Sequence, residues 1–287
     1  MRKHSRLSRR RRVREAAARG LLWGSGALTA AVGLFLVGCV CLRGFPGLSR
    51  QLLTGQESIL RHTAGILPSI LNTLYVIVAT LAVVLPLGVG AAIYLTEYAR
   101  SRVLVGVVEF AAETLSGIPS ILYAMIGALI FCDRLGLQRT LLAGSCTLAI
   151  MTLPTVLRTT QESLKAVPES YREGALGLGA GRWKMIRSVV LPSSLEGVVT
   201  GCILAVGRIV GESAVLMYTA GMSMLMQDFS SFEGLLHASG ATLSVALCVY
   251  AKERADFAAA FSIGSVLLIL TAGLNLGARL WRAPRRR

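Results

Sequence analysis

The chain has 287 residues, a mean hydropathy of +0.63 and a formal net charge of +15. Charged residues make up 16% of it, well below the roughly 25% of soluble domains. That composition excludes a conventional soluble core, and apolar runs that continue without alternating exclude a membrane β-barrel.

The chain opens on a basic segment, residues 1–20, whose "RRRRVR" at 9–14 suits anionic lipid headgroups. The first apolar run spans 21–42, and a first outer connection continues the unit to residue 60. Within it, "LVGC" at 36–39 resembles a lipoprotein cleavage box, but the arginine-rich lead and the later runs favour a retained helix. A second span is expected over 67–95. A more polar helix over 103–116 then leads into a third span at 117–132. Further spans follow at 141–158, 194–217 and 260–280. Each is long enough, or nearly so, for a helix to cross about 30 Å of hydrocarbon. Backbone groups in lipid must be satisfied within the segment, so these runs read as six transmembrane helices of an all-α membrane protein.

The last five helices form one unit over 61–281, ahead of a basic tail at 282–287. The connection at 219–259 includes "ASGATLSVALCVYAKE" (238–253), which reads as a partly helical cap on the outer side. Six cysteines, Cys39, Cys41, Cys132, Cys146, Cys202 and Cys248, sit in apolar stretches without paired spacing and read as small core fillers. No metal-ligand spacing is present. With the N-terminus inside, 22 Lys and Arg fall on the inner side and seven outside. This bias puts both termini in the cytoplasm and makes the charge a topology signal rather than a nucleic-acid footprint.

The largest inner loop, 159–193, carries "EGALGLGAGRWKMIRSVVLP" (173–192). Pro168 and Glu169 suit a helix start. Tyr171, Ala175 and Leu178 then recur at helical spacing, and Gly177, Gly179 and Gly181 permit a sharp turn. A second helix follows, with Trp183, Ile186 and Val190 on one side. Periodicity alone fits two readings equally: a knob docking into a partner's groove, or a hairpin lying on the membrane. The order Glu173-Gly174-Ala175, three residues, Gly179, nine residues, Val189, one residue, Leu191-Pro192 resembles the EAA loop of ABC importer membrane subunits. It departs from that pattern at Gly174 and Val189. The resemblance favours the docking knob, with Tyr171, Glu173, Gly174, Ala175, Leu178 and Gly179 contacting an ATPase. None of the four lysines follows glycine, so the chain has no P-loop of its own.

In the fifth span, Arg208 and Glu212 stand four apart and are expected on one helix face. Two readings stay open: an internal salt bridge that pins packing, and a cation along an anion route with its carboxylate neighbour. Gly207 and Gly211 are expected to let another helix approach. Before the third span, Glu109 and Glu113 share a face, and Gly117-Ile118-Pro119 interrupts the helix. Ser116, Ser120 and the free amides after Pro119 suit an anion path, and equally a simple break at the interface. Pro154, in the fourth span, reads either as a pivot or as a tolerated kink.

Residues 65–99, 113–124 ("ETLSGIPSILYA"), 153–192 and 207–221 ("GRIVGESAVLMYTAG") together resemble the PstA-type permease subunits of phosphate ABC importers. The likeness covers about 65–280 and leaves 1–60 undiagnosed. It implies a six-helix MetI-like (type I importer) permease fold, with Arg208 and Glu212 along the phosphate route. The implied partners are a PstC-like sister permease, two PstB-like ATPases carrying ATP and magnesium, a phosphate-binding protein and membrane lipid. The chain itself is expected to be neither an enzyme nor a cofactor carrier, nor a binder of nucleic acid. The alternatives are an importer of another oxyanion (sulfate, molybdate or tungstate), a PstC-like role, and an ATP-independent anion carrier.

Overall fold

The computed structural model describes residues 9–56, 65–227, 229 and 231–282. The start of the basic segment (1–8), the middle of the first outer connection (57–64) and the tail at 283–287 lie outside the described residues.

Helix α1, Arg9–Gly44, ends in a 3-10 turn at Phe45–Gly47, and the short α2 follows at Arg50–Thr54. Helix α3, Leu67–Ile93, closes in a π turn at Tyr94–Tyr98. The polar helix expected before the third span is α4, Arg102–Ser116, capped by Ser101 Oγ accepting from Leu104 N at 3.3 Å. Helix α5, Ser120–Gly127, continues into a π turn at Ala128–Arg134, and the α5 segment is bent 100° from α4. The cause is local. Pro119 lacks an amide and disfavours helix in the residue before it, so α4 stops at Ser116 and α5 starts afresh.

Helix α6, Leu141–Lys165, starts at Thr140, whose Oγ1 accepts from Ala143 N at 3.2 Å. It runs unbroken through the buried Pro154. The inner loop forms α7, Glu169–Gly177, and α8, Arg182–Met185. A π turn at Ile186–Val190 then leads into α9, Leu191–Gly211. The remaining helices are α10, Ala214–Thr219; α11, Phe232–His237; α12, Leu243–Cys248, with a π turn at Val249–Glu253; and α13, Phe257–Arg282. Among the described residues, five helices are long and apolar enough to cross a membrane, or six if the bent α4–α5 pair is one span.

The bundle is organised around α6, which lies against both α3 and α9. Small residues make this possible, because between lipid-embedded helices close packing replaces the hydrophobic effect as the main attraction. A Cβ on Gly197 would fall 1.4 Å from Ser163 Oγ, and one on Gly201 would fall 2.2 Å from Thr159 Oγ1. These two glycines, four apart on α9, therefore bring it onto α6. The sequence reading assigned close approach to Gly207 and Gly211, but a Cβ on either meets nothing within 4 Å. Three buried hydroxyls of α6 are satisfied within the helix itself, whereas that of Thr160 has no hydrogen-bond partner among the described residues. Ser145, Thr147 and Thr152 each bond the carbonyl four residues back, at 2.7–2.8 Å.

The connection at 219–259 packs into the core instead of capping it from outside. Leu243, Val245 and Ala246 of α12 are fully buried. Asn72 Nδ2 on α3 donates to Ala241 O at 3.0 Å, and Leu243 N donates to Thr73 Oγ1 at 2.9 Å. The sequence reading missed this because six apolar residues are too few to span a bilayer.

Candidate functional site

The inner hairpin is built from its glycines and its apolar residues. Pro168 is the N-cap of α7 and Glu169 lies in its first turn, as the sequence suggests. The helix ends in a Schellman motif: Ala180 N bonds Ala175 O at 3.1 Å and Gly179 N bonds Leu176 O at 2.9 Å. Gly179 sits at φ +81°, a conformation that strains any residue with a Cβ. Gly177 and Gly181 have no such φ, so only one of the three expected turn glycines is required by the backbone.

Exposure divides the hairpin in two. Ala175, Met185, Ile186 and Val190 join a second core with Ala92, Leu95, Leu157, Leu164 and Val167. Tyr171, Leu176 and Trp183 are exposed, and Leu178 at the tip is 91% exposed. The expected common side for Trp183, Ile186 and Val190 is therefore corrected. The π turn at Ile186–Val190 accompanies a split in which the last two face inward and Trp183 outward. Glu173 and Gly174 are exposed on α7. The outcome is a folded base carrying an exposed apolar tip among the described residues, a surface that fits a partner.

Sequence reasoning missed what fixes the hairpin's angle. Arg172 of α7 donates through Nε and Nη2 to Glu97 Oε1, at 3.2 and 2.9 Å. It also donates to Leu164 O at 2.8 Å, to Val167 O at 2.7 Å and to Glu169 Oε2 at 3.3 Å. The pairing crosses 75 residues of sequence, and no local spacing signals it.

Deeper in the bundle, the fifth span does not continue to residue 217. Helix α9 ends at Gly211, Glu212 takes an extended conformation (φ −81°, ψ 120°), and α10 restarts at Ala214. Arg208 and Glu212 therefore do not share a helix face, and no ion pair joins them among the described residues. Glu212 instead braces the break. Its Oε1 accepts from Val215 N at 3.3 Å, and its carbonyl accepts from Ser244 Oγ at 2.9 Å. Arg208 is half-buried, and among the described residues no hydrogen bond or ion pair reaches its guanidinium.

Two breaks thus come near one cation. Arg208 lies close enough to the Tyr123 phenol to act on it electrostatically. Tyr123 in turn donates to Leu115 O at 2.8 Å, across the α4–α5 break. The two serines proposed for this region differ. Ser116 Oγ is turned back onto Ala112 O at 2.9 Å, whereas Ser120, half-buried in the first turn of α5, has no hydrogen-bond partner among the described residues. Below the breaks, α4 and α6 carry two ion pairs: Glu113 with Arg158 at 3.4 Å, and Glu109 with Lys165 at 2.9 Å. The shared face of Glu109 and Glu113 is therefore the face α4 turns to α6.

Comparison with known proteins agrees with this architecture. The family described as binding-protein-dependent transport system inner membrane component matches residues 84–282. The phosphate transport system permease protein PstA of Mycobacterium leprae is 30% identical over 279 residues, covering 94% of this chain and 89% of that protein. The probable ABC transporter permease protein YqgI of Bacillus subtilis is 32% identical over 222 residues, covering 77% of this chain and 76% of that protein. Among solved structures, a bacterial alginate ABC transporter in complex with an alginate-bound periplasmic protein superposes with a TM-score of 0.65. The identity is 13%, over 95% of this chain and 98% of that one. The inward-facing MetNI methionine ABC transporter gives 0.58 at 18% identity, covering 78% and 95%. At such identities these structures speak for the fold, a MetI-like importer permease.

Proposed function

Because the chain belongs to the binding-protein-dependent transport system inner membrane component family, we propose that it is the permease subunit of an ATP-driven importer of inorganic phosphate. Relatives that carry the phosphate permease name and match 94–98% of this chain support that cargo. The observation that carries the reading is Arg208, a half-buried guanidinium of the fifth span that forms no ion pair with a carboxylate among the described residues. A planar fork of N–H donors suits a tetrahedral oxyanion through paired charge-assisted hydrogen bonds. Ser120, in the first turn of α5, adds a hydroxyl that has no hydrogen-bond partner among the described residues. Glu212 serves this site by holding the helix break rather than by pairing with Arg208.

The remaining assignments follow the same reading. The exposed tip formed by Tyr171, Leu176, Leu178 and Trp183 docks on a separate ATPase, and Glu173, Gly174 and Gly179 shape that contact. ATP and magnesium reside on the partner. The open stripe at Gly207 and Gly211, next to Arg208, faces a sister permease, and a phosphate-binding protein delivers cargo from outside. Both termini lie in the cytoplasm, where the arginine-rich run at 9–14 meets anionic headgroups. The translocation unit is 61–281, with its coupling loop at 159–193.

The test is reconstitution in liposomes with the candidate ATPase, sister permease and binding protein, following labelled phosphate. Uptake is expected to require ATP and to resist competition by sulfate or molybdate. Arg208→Ala should lower it by about 10- to 100-fold, the equivalent of one lost charged hydrogen-bond pair. Uptake without ATP, equal competition by sulfate, or full uptake by Arg208→Ala would each overturn the assignment.

A further inference from the structure

A nine-residue helix does not hold its own direction in space, and α7 buries none of its residues fully. Its angle to the bundle must come from a few contacts, and Arg172 makes five of the hydrogen bonds that supply it. The side chain is only 11% exposed and that of Glu97 only 6%. The acceptors belong to separate pieces of the fold. Glu97 lies in the turn closing α3, Leu164 in the last turn of α6, and Val167 in the link between α6 and α7.

The carbonyl of Leu164, in the last turn of α6, accepts from Val167 N at 3.2 Å and from Arg172 Nη2 at 2.8 Å, so α7 adds a charged donor to the C-terminal end of α6. A guanidinium is flat, and its donors point in fixed directions. All these bonds form together only if α3, α6 and α7 keep one relative arrangement. Buried ion pairs are weak evidence for stability and better suited to fixing a single geometry.

We propose that Arg172 is a positioning residue that locks the coupling hairpin to the ends of α3 and α6, with Glu97 as its counter-anchor. A push on the hairpin then cannot be absorbed by a swivel at residues 166–168, and both long helices move with it. Neither residue touches phosphate; the lock acts on the yield of transport per ATP. The inference rests on the reading of the hairpin as the ATPase dock.

The test uses the full chain, alone and in the reconstituted importer, in a background with its six cysteines replaced. Spin labels at Ser170 on α7 and Arg100 beyond α3, both exposed, report the hairpin's angle. The unmutated lock should give one narrow distance. Arg172→Lys, which keeps the charge but loses the fork, should broaden it and cut phosphate imported per ATP hydrolysed at least tenfold, with ATPase turnover within about twofold. Glu97→Gln, which keeps an acceptor, should fall between. Should Arg172→Ala fail to accumulate, these two milder variants carry the decision. A narrow distance with unchanged import per ATP in assembled Arg172→Lys importer would overturn the lock and leave a merely stabilising pair. If the unmutated importer moves no phosphate, the functional reading fails, while the label distances on the full chain still decide the lock.

Discussion

Gly179→Ala isolates the backbone turn of the hairpin from everything else it does. At φ +81° a Cβ there meets no atom of this chain within 4 Å, so the substitution introduces strain and no clash. An L-residue in the left-handed region costs roughly 1–2 kcal/mol. At 1.36 kcal/mol per factor of ten, the native turn loses about 5- to 30-fold against its competitors. Gly177→Ala and Gly181→Ala make fitting controls, since neither glycine has a positive φ and neither has a neighbour within 4 Å. Both should be neutral, or stabilise by up to about 1 kcal/mol by restricting the unfolded chain. Gly179→Asn completes the set, because asparagine tolerates the left-handed region better than alanine does. ATP-driven uptake and cross-linking of a cysteine at Lys184 to the ATPase should fall in the order Gly179, then Asn, then Ala. Equal losses for Gly179→Ala and Gly181→Ala would refute the turn argument. If Asn were as damaging as Ala, close approach by the partner, and not the turn, would be what demands glycine.

Two further outcomes follow from packing and from the broken helix. Gly197→Ala should loosen α6 against α9 by about 1–3 kcal/mol of overpacking strain, since its Cβ falls 1.4 Å from Ser163 Oγ; Ser163→Gly should recover much of the lost thermal stability in detergent, and no recovery would refute the contact. Glu212→Gln should keep most uptake, because an amide oxygen still accepts from Val215 N, whereas Glu212→Ala should lose about 1 kcal/mol of capping and much of the transport. A Gln variant as inactive as the Ala variant would return Glu212 to the phosphate route as a charge.

What was legible in the sequence is what lipid dictates locally. Apolar runs had to be helices, and the expected spans 67–95, 117–132 and 260–280 agree closely at both ends with the helices observed, as does the interruption at Gly117–Pro119. The glycine of the hairpin pattern is legible too, because its spacing from Glu173 places it just past the end of α7. The break at Glu212 was not. Gly211 and Ser213 flank it, but nothing in "GRIVGESAVL" separates a helix that runs on from one held open by Ser244, 32 residues later. Burial of Arg172 was hidden in the same way, since among the five basic residues of the inner loop nothing local marks the one that finds the carboxylate of Glu97 in the turn closing α3. The packing glycines were misplaced for a related reason: small-xxx-small occurs at 197/201 and again at 207/211, and only the partner side chains Ser163 and Thr159 distinguish them.

The misplaced pair is itself informative once Arg208 is set beside it. A helix face that is open at Gly207 and Gly211 and carries an unneutralised arginine is unfavourable in plain hydrocarbon, where a central Arg costs about 2.5–3.5 kcal/mol on insertion scales. Within the chain, carboxylates do pair with the other inner cations described above: Glu113 with Arg158, Glu109 with Lys165, and Glu97 with Arg172. The nearest acidic residue in sequence to Arg208, Glu212, is carried away from it by the break and used on a backbone amide. The helix break therefore has an electrostatic consequence as well as a structural one. It removes the counter-charge a continuous helix would have placed one turn away and leaves the guanidinium without a carboxylate partner among the described residues, the arrangement on which the proposed anion route rests.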